Sequence, residues 1–229
     1  MDPQTTPPPN PADVPSVTPP QYVGISPELP EEQPEPPKHE GIGSMLSTIG
    51  ILIAAPIVAI LLTAFVFQSY EVDGPSMETT LDNHDKLLVL KLPRTFAKIT
   101  HQNYIPDRGE IIIFSTTAIQ EGGDGGAKQL IKRVMGLPGD RVVVKDGFLT
   151  VYNNEHPEGF QPDKEGSWGS VITTTTGNVD VTVGKDEVFV CGDNRTNSLD
   201  SRVLGAIPAK DIVGKLVFRI YPLHNAQVF

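Results

Sequence analysis

Thirty consecutive residues, Gly41 to Tyr70, carry no charge. The densest part, "MLSTIGILIAAPIVAILLTAFVF", runs from Met45 to Phe67. As a helix at ~1.5 Å per residue it would reach roughly 34 Å, enough to cross a hydrocarbon core of about 30 Å with some tilt. A soluble helix keeps a polar face, and this run has none. Pro56 predicts a kink and not a break, because neighbouring groups can supply the missing backbone bond. A cleaved export signal fits poorly. The run starts forty residues into the chain, lacks a basic lead, and leaves through "FVFQSY" without small residues at the exit. The reading is a permanent single-pass transmembrane anchor over residues 41–69. Basic residues do not orient it: Lys38 is the nearest base before the span, and Glu71 and Asp73 after it carry little weight.

The anchor divides the remainder. Residues 1–40 are dominated by proline, with seven acids against one base, Lys38. Such a segment buries too little apolar surface to offset chain ordering, so a disordered, acidic tail of polyproline II character is expected. It offers a ligand to a proline-binding partner; a solvated tail without one is the plainer reading. Residues 70–229 hold short β-branched runs, among them "DKLLVLKL", "EIIIFST", "DRVVVKDG", "SVITTTTG" and "DEVFVCGD", punctuated by turn residues. These runs predict an all-β globular domain. Asp146-Gly147 marks a two-residue hairpin, and helical periodicity after residue 70 is confined to the neighbourhood of Pro93–Thr100. The formal charge of −10 argues against nucleic acid as a partner. One cysteine, Cys191, excludes an internal disulfide and reads as a buried thiol. The scattered histidines show no metal-ligand spacing, so neither a metal nor another cofactor is expected.

Three stretches carry chemistry. "VDGPSMETTL", 72–81, places Ser76 just beyond the anchor. A surface turn explains it; so does a nucleophile, provided a base exists. Triads assemble from distant positions, and nothing marks a particular histidine. Lysine is the other helper. In "QLIKRVMGLPGDRVVV", strand alternation would put Lys132 on one face with Leu130 and Val134. A lysine there either snorkels to water or is buried and functional. A free lysine has a pKa near ~10.4, and desolvation can lower it enough to accept a serine proton at neutral pH. Finally "CGDNRTNSLDSRVLGAIP", 191–208, crowds short polar side chains after an apolar strand. Asp200 and Arg202 suit an ion pair, and Ser198 could hold an amine.

Together these stretches resemble the membrane-bound type I signal peptidases, which use a serine–lysine pair. The matching motifs are "SMETTL" (76–81), "RGEIIIF" (108–114), "KRVMGLPGD" (132–140) and "GDNRTNSLDSRVLG" (192–205), in the family's order and behind an anchor. The resemblance covers about 41–220 and implies an all-β fold of antiparallel sheets, of the signal-peptidase and self-cleaving-repressor type, behind one transmembrane helix. It implies Ser76 as nucleophile and Lys132 as general base. Ser198 would orient the lysine, Asp200 would pair with Arg202 and with Arg133, and Met77 would shield the amine. Val72, Leu130 and Ile131, with Met77 near, would line narrow subsites that accept small residues (A-x-A). The substrates would be signal-peptide-bearing precursors, cut by a domain held against the lipid bilayer. The domain would face outward from the plasma membrane, with the tail in the cytoplasm.

Two positions depart from the pattern. Thr79 stands where the family usually has proline, which predicts a modest loss of rigidity. Gly74 offers no side-chain donor to an oxyanion, so backbone amides, chiefly that of Ser76, must serve. Two other readings remain: a self-cleaving repressor, which carries an amino-terminal DNA-binding domain where an acidic tail and a membrane span are expected here, and a catalytically inert scaffold that presents the tail. A scaffold has no physical need for a buried lysine.

Overall fold

The computed structural model describes residues 42–100, 102–118, 126–166, 168, 172 and 174–229. The proline-rich tail and residues 121–125 of the glycine-rich loop lie outside the described residues. The chain divides into two compact units, Met1–Leu46 and Ser47–Phe229, and every strand belongs to the second. Helix α1, Ile42–Leu61, continues through a π-helical turn, Leu62–Val66, into strand β1, Phe67–Glu71. Its side chains are described from Ser47 onward, which is roughly 22 Å of helix. Among the described residues no helix is long and apolar enough to cross a membrane.

The β-rich reading of the globular part is borne out. One antiparallel sheet has the strand order β1, β2 (Lys86–Leu90), β10 (Ile212–Tyr221), β3 (Ile111–Thr116), β4 (Lys128–Gly136), β8 (Glu187–Cys191), β9 (Ile207–Pro208), with β11 (Gln227–Val228) on β10. A second sheet has the order β6 (Phe148–Tyr152), β5 (Arg141–Lys145), β7 (Val179–Thr182). Burial explains the patterns. Strands β5 and β6 alternate buried and less buried residues, as strands with one face on a core must. Ile111–Phe114 is buried on both faces, consistent with its continuous apolar run and central place. The β5–β6 hairpin turns through Asp146 and Gly147, both at positive φ, as expected for a type I′ turn. Helix α2, Leu92–Ile99, occupies the expected helical stretch.

"SVITTTTG" differs from expectation. Its described residues form no strand. Instead Thr175 N–H donates to Gly147 O at 2.8 Å and Thr176 Oγ1 to Arg195 O at 3.1 Å. The run acts as a strap whose hydrogen bonds go to loops.

The core lies on both sides of β3 and β4. Ile112, Phe114 and Val134 pack with Val188, Val190, Ile207 and Ile212. Ile111 packs with Val72, Met77, Leu81, Leu87 and Leu216. Met135, Val142, Val144, Leu149, Phe189 and Cys191 join the two sheets. Alternation sends Val134 and Met135 to different clusters, and the register of β4 against β8 shifts between Val134 and Gly136.

Candidate active site

Strand β4 changes partners along its length. Lys128–Arg133 pair with β3, and Arg133–Gly136 pair with β8. On its other side Gln129–Lys132 meets no strand among the described residues, and neither does the outer edge of β1, whose one strand partner among them is β2. Between these segments opens a cleft of about 320 Å³, lined by Tyr70–Gly74, Ser76, Leu87, Ile113 and Lys128–Lys132.

Lys132 sits opposite Ile112 in the ladder, on the face it shares with Leu130 and Val134. It is only 2 % exposed. Its Nζ lies 2.8 Å from Ser76 Oγ and 2.8 Å from Ile131 O. Burial lowers its pKa from 10.5 to about 8, although Asp200, Asp193 and Cys191 pull the other way. Desolvation of the ammonium outweighs their attraction, because both carboxylates are already neutralised by arginines. The amine can therefore exist uncharged near neutral pH, within reach of a hydroxyl.

Ser76 lies on the turn between β1 and β2. Two bonds from the 191–208 loop hold that turn: Asn194 N–H donates to Ser76 O at 3.1 Å, and Asn194 Nδ2 to Pro75 O at 3.1 Å. Gly192 lies so close that a Cβ there would fall 2.4 Å from Ser76 O and 2.2 Å from Ser198 Oγ. No side chain fits between the loop and the turn that carries Ser76.

Asp200 is wholly buried. Burial tends to raise its pKa, yet it is held below the ordinary value by Arg202, the Gly192 amide and Ser198. Arg202 grips it with Nε and Nη2, both at 2.8 Å. The expected Asp200–Arg202 pair is present, but Arg133 does not join it. Arg133 Nε and Nη2 bond Asp193 at 2.9 and 2.7 Å. Alternation turns Arg133 away from the Lys132 face, and the oxygens of Asp200 are already occupied. Ser198 Oγ donates to Asp200 Oδ2 at 2.7 Å, so its hydroxyl is engaged there, and Lys132 bonds Ser76 and Ile131.

The four residues read as a substrate lining separate into two roles. Val72, Leu130 and Ile131 border the cleft. Met77 is fully buried and packs beneath it with Val72, Leu81 and Leu87. Sequence reasoning left Asp193, Asn194 and Thr80 without roles. Thr80 Oγ1 donates to Asp193 Oδ2 at 2.6 Å across 113 residues of chain. Their motif membership was legible, but no local pattern names a partner that distant. Arg195, likewise unassigned, is 3 % exposed and anchors the loop through Asp163, with Nη2–Oδ1 at 2.7 Å, and through Thr175. Burial drives the Cys191 thiol upward, so it stays protonated. Among the described residues no cluster could hold a metal.

The family model described as "Signal peptidase, peptidase S26" matches residues 45–221. A signal peptidase I of Bacillus licheniformis is 32% identical over 186 residues, covering 80% of this chain and 92% of that protein. Signal peptidase I P of Bacillus subtilis subsp. natto is 34% identical over 186 residues, covering 80% and 93%. A signal peptidase I of Leptolyngbya laminosa is 30% identical over 208 residues, covering 90% and 91%.

Proposed function

We propose, from the premise that this chain belongs to the signal peptidase family S26 and is a hydrolase that removes signal peptides, that Ser76 is its nucleophile and Lys132 its general base. The observation that carries this is the 2.8 Å contact between Lys132 Nζ and Ser76 Oγ, with the amine almost wholly out of water. In the neutral state Nζ accepts the serine proton as Oγ attacks the scissile carbonyl. The resulting ammonium then protonates the departing amine, and the acyl-enzyme is hydrolysed by water that the same amine activates. The Ser76 N–H, which has no acceptor among the described residues, is the donor for the developing oxyanion. Gly74 adds no side-chain donor. Asp200, clamped by Arg202, carries Ser198 as a support for the lysine end of the site.

The substrate enters the cleft as an extended strand between Gln129–Lys132 and Tyr70–Val72, bonding main chain to main chain. Val72, Leu130 and Ile131 are read as the lining of subsites for small side chains, as an A-x-A cleavage site requires. The uncharged run 41–70 is read as the anchor that keeps the cleft at the bilayer surface, where a precursor's cut site emerges. The tail then faces the cytoplasm and the catalytic domain the outer side of the plasma membrane.

The test is incubation of the detergent-solubilised full chain with an A-x-A precursor, with the cut position read by mass spectrometry. Ser76→Ala and Lys132→Ala are each expected to lose cleavage by about 10³-fold or more. Retained cleavage by either variant removes the pair from the mechanism.

A further inference from the structure

Arg219 stands on β10 opposite Leu87 of β2 and is 7 % exposed. A guanidinium taken out of water must find partners for its N–H groups. This one finds four acceptors, two before β2 and two after β10. Nη1 donates to Asp85 Oδ2 at 3.0 Å and to Thr80 O at 2.9 Å. Nε donates to Asn225 O at 2.8 Å, and Nη2 to Gln227 Oε1 at 3.1 Å. Pairing with Asp85 alone would leave the other three unmet. The planar fork instead fixes one backbone carbonyl, Thr80 O, between a buried carboxylate and the chain that follows β10.

Thr80 leads back to Ser76. The N–H groups of Thr80 and Leu81 both donate to Met77 O at 2.9 Å, and Met77 follows Ser76 directly. The side chains of Met77 and Leu81 are fully buried, while Glu78 and Thr79 between them are exposed. Thr79, Thr80 and Arg219 border a cavity of about 500 Å³ that Trp168, Gln227 and Phe229 also wall. Packing is thin on that flank, and position 79 lacks a proline ring to stiffen it. Hydrogen bonds therefore hold the backbone just after Ser76. Asp85 secures the far end of the same loop. Its Oδ2 also accepts from Asp82 N–H at 3.0 Å, and its carbonyl accepts from Val72 N–H at 2.9 Å.

We propose that Arg219 is a positioning residue for the reaction, which fixes Ser76 against Lys132 by holding the Thr80 carbonyl. This rests on the reading of Ser76 as nucleophile. Arg219 does not line the cleft, so it acts through Thr80 and Met77 and not on the substrate. Asn225 and Gln227 occupy Nε and Nη2 and leave Nη1 turned to Thr80 and Asp85. The chain after β10 thus takes part in placing Ser76. Such a residue governs the geometry of attack, and its loss falls on the chemical step more than on binding.

The test compares variants of the detergent-solubilised full chain on an A-x-A precursor, at a temperature where circular dichroism shows each one folded. Arg219→Met keeps the length of the side chain and removes every N–H. It is expected to lower kcat about tenfold or more and to change KM by less than about twofold. Arg219→Met/Asp85→Asn leaves no carboxylate buried alone and still lacks the bond to Thr80 O. The same loss of kcat is expected there, with stability recovered in part. Val144→Ala is the control for destabilisation, because Val144 is fully buried in a cluster that includes none of residues 72–85. It should unfold at lower urea and keep kcat and KM. Wild-type kcat in Arg219→Met, or its return in the paired variant, overturns the positioning role. So does an equal loss of kcat in Val144→Ala, which would make the effect one of stability. Ser76→Ala, run beside them, tells the two readings apart. Cleavage by Ser76→Ala removes the nucleophile, and this proposal with it. An inactive Ser76→Ala beside a fully active Arg219→Met removes the positioning role alone.

Discussion

Lys132 is the residue at which folding and chemistry oppose each other. Burial lowers its pKa to about 8, whereas the unfolded chain titrates near 10.5. Activity should rise as pH passes through about 8 and level off above it; a profile that rises only near 10.5 would contradict a desolvated base. Stability has a matching sign. Between those two values the unfolded state binds the extra proton, so stability increases with pH across that window and is lowest below pH 8. Lys132→Met should therefore lose cleavage yet gain on the order of 3 kcal/mol at pH 7, an advantage gone by about pH 10.5. Urea denaturation at the two pH values measures it, and a variant less stable at pH 7 would speak against burial of a strained amine. If Ser198 supports the lysine end of the site as proposed, Ser198→Ala should lower kcat more than it raises KM, since its hydroxyl is bonded to Asp200. An unchanged kcat removes its supporting role.

At the scale of elements, the loop after β8 holds the turn that carries Ser76. Asn194 contributes two bonds to Pro75 and Ser76. Asn194→Ala keeps the backbone bond and loses the side-chain one. It should reduce kcat by about tenfold and stability by about 1 kcal/mol. Wild-type turnover in that variant would show that the turn holds itself. Gly192→Ala puts a Cβ against Ser76 O, a backbone atom that cannot swing aside. A folded protein with displaced Ser76 and little activity is expected, checked by circular dichroism alongside the cleavage assay. Strand identity was legible where apolar residues alternate, as in "DRVVVKDG", and the Asp146-Gly147 hairpin came from turn chemistry. "SVITTTTG" misled because threonine suits strands by side-chain shape, while here its hydroxyls and amides bond loops.

Across the whole molecule, a buried ion pair ties β4 to the loop after β8 and, through Thr80, to the segment that carries Ser76. Arg133 and Asp193 are nearly inaccessible and doubly bonded. Asp193→Asn leaves the guanidinium uncompensated, at a cost of roughly 3–5 kcal/mol. A loss below about 1 kcal/mol by chemical denaturation would mean the pair is solvated in solution. Sequence reasoning gave Arg133 to Asp200. Both aspartates stand in one short motif, and charge alone cannot choose between them. Strand alternation and the prior capture of Asp200 by Arg202 make the choice.

By itself the sequence determined what is written in contiguous residues: the uncharged run, the strand periodicity, the lone thiol and the four ordered motifs. Such features depend on neighbours a few positions apart, and local physics reads them directly. Tertiary structure alone decided what depends on distance through space. It brought an amine within 2.8 Å of a hydroxyl 56 residues away, opened a cleft beside them, and buried the amine so that its charged form is disfavoured. Desolvation is a property of the packed whole, and no stretch of chain carries it.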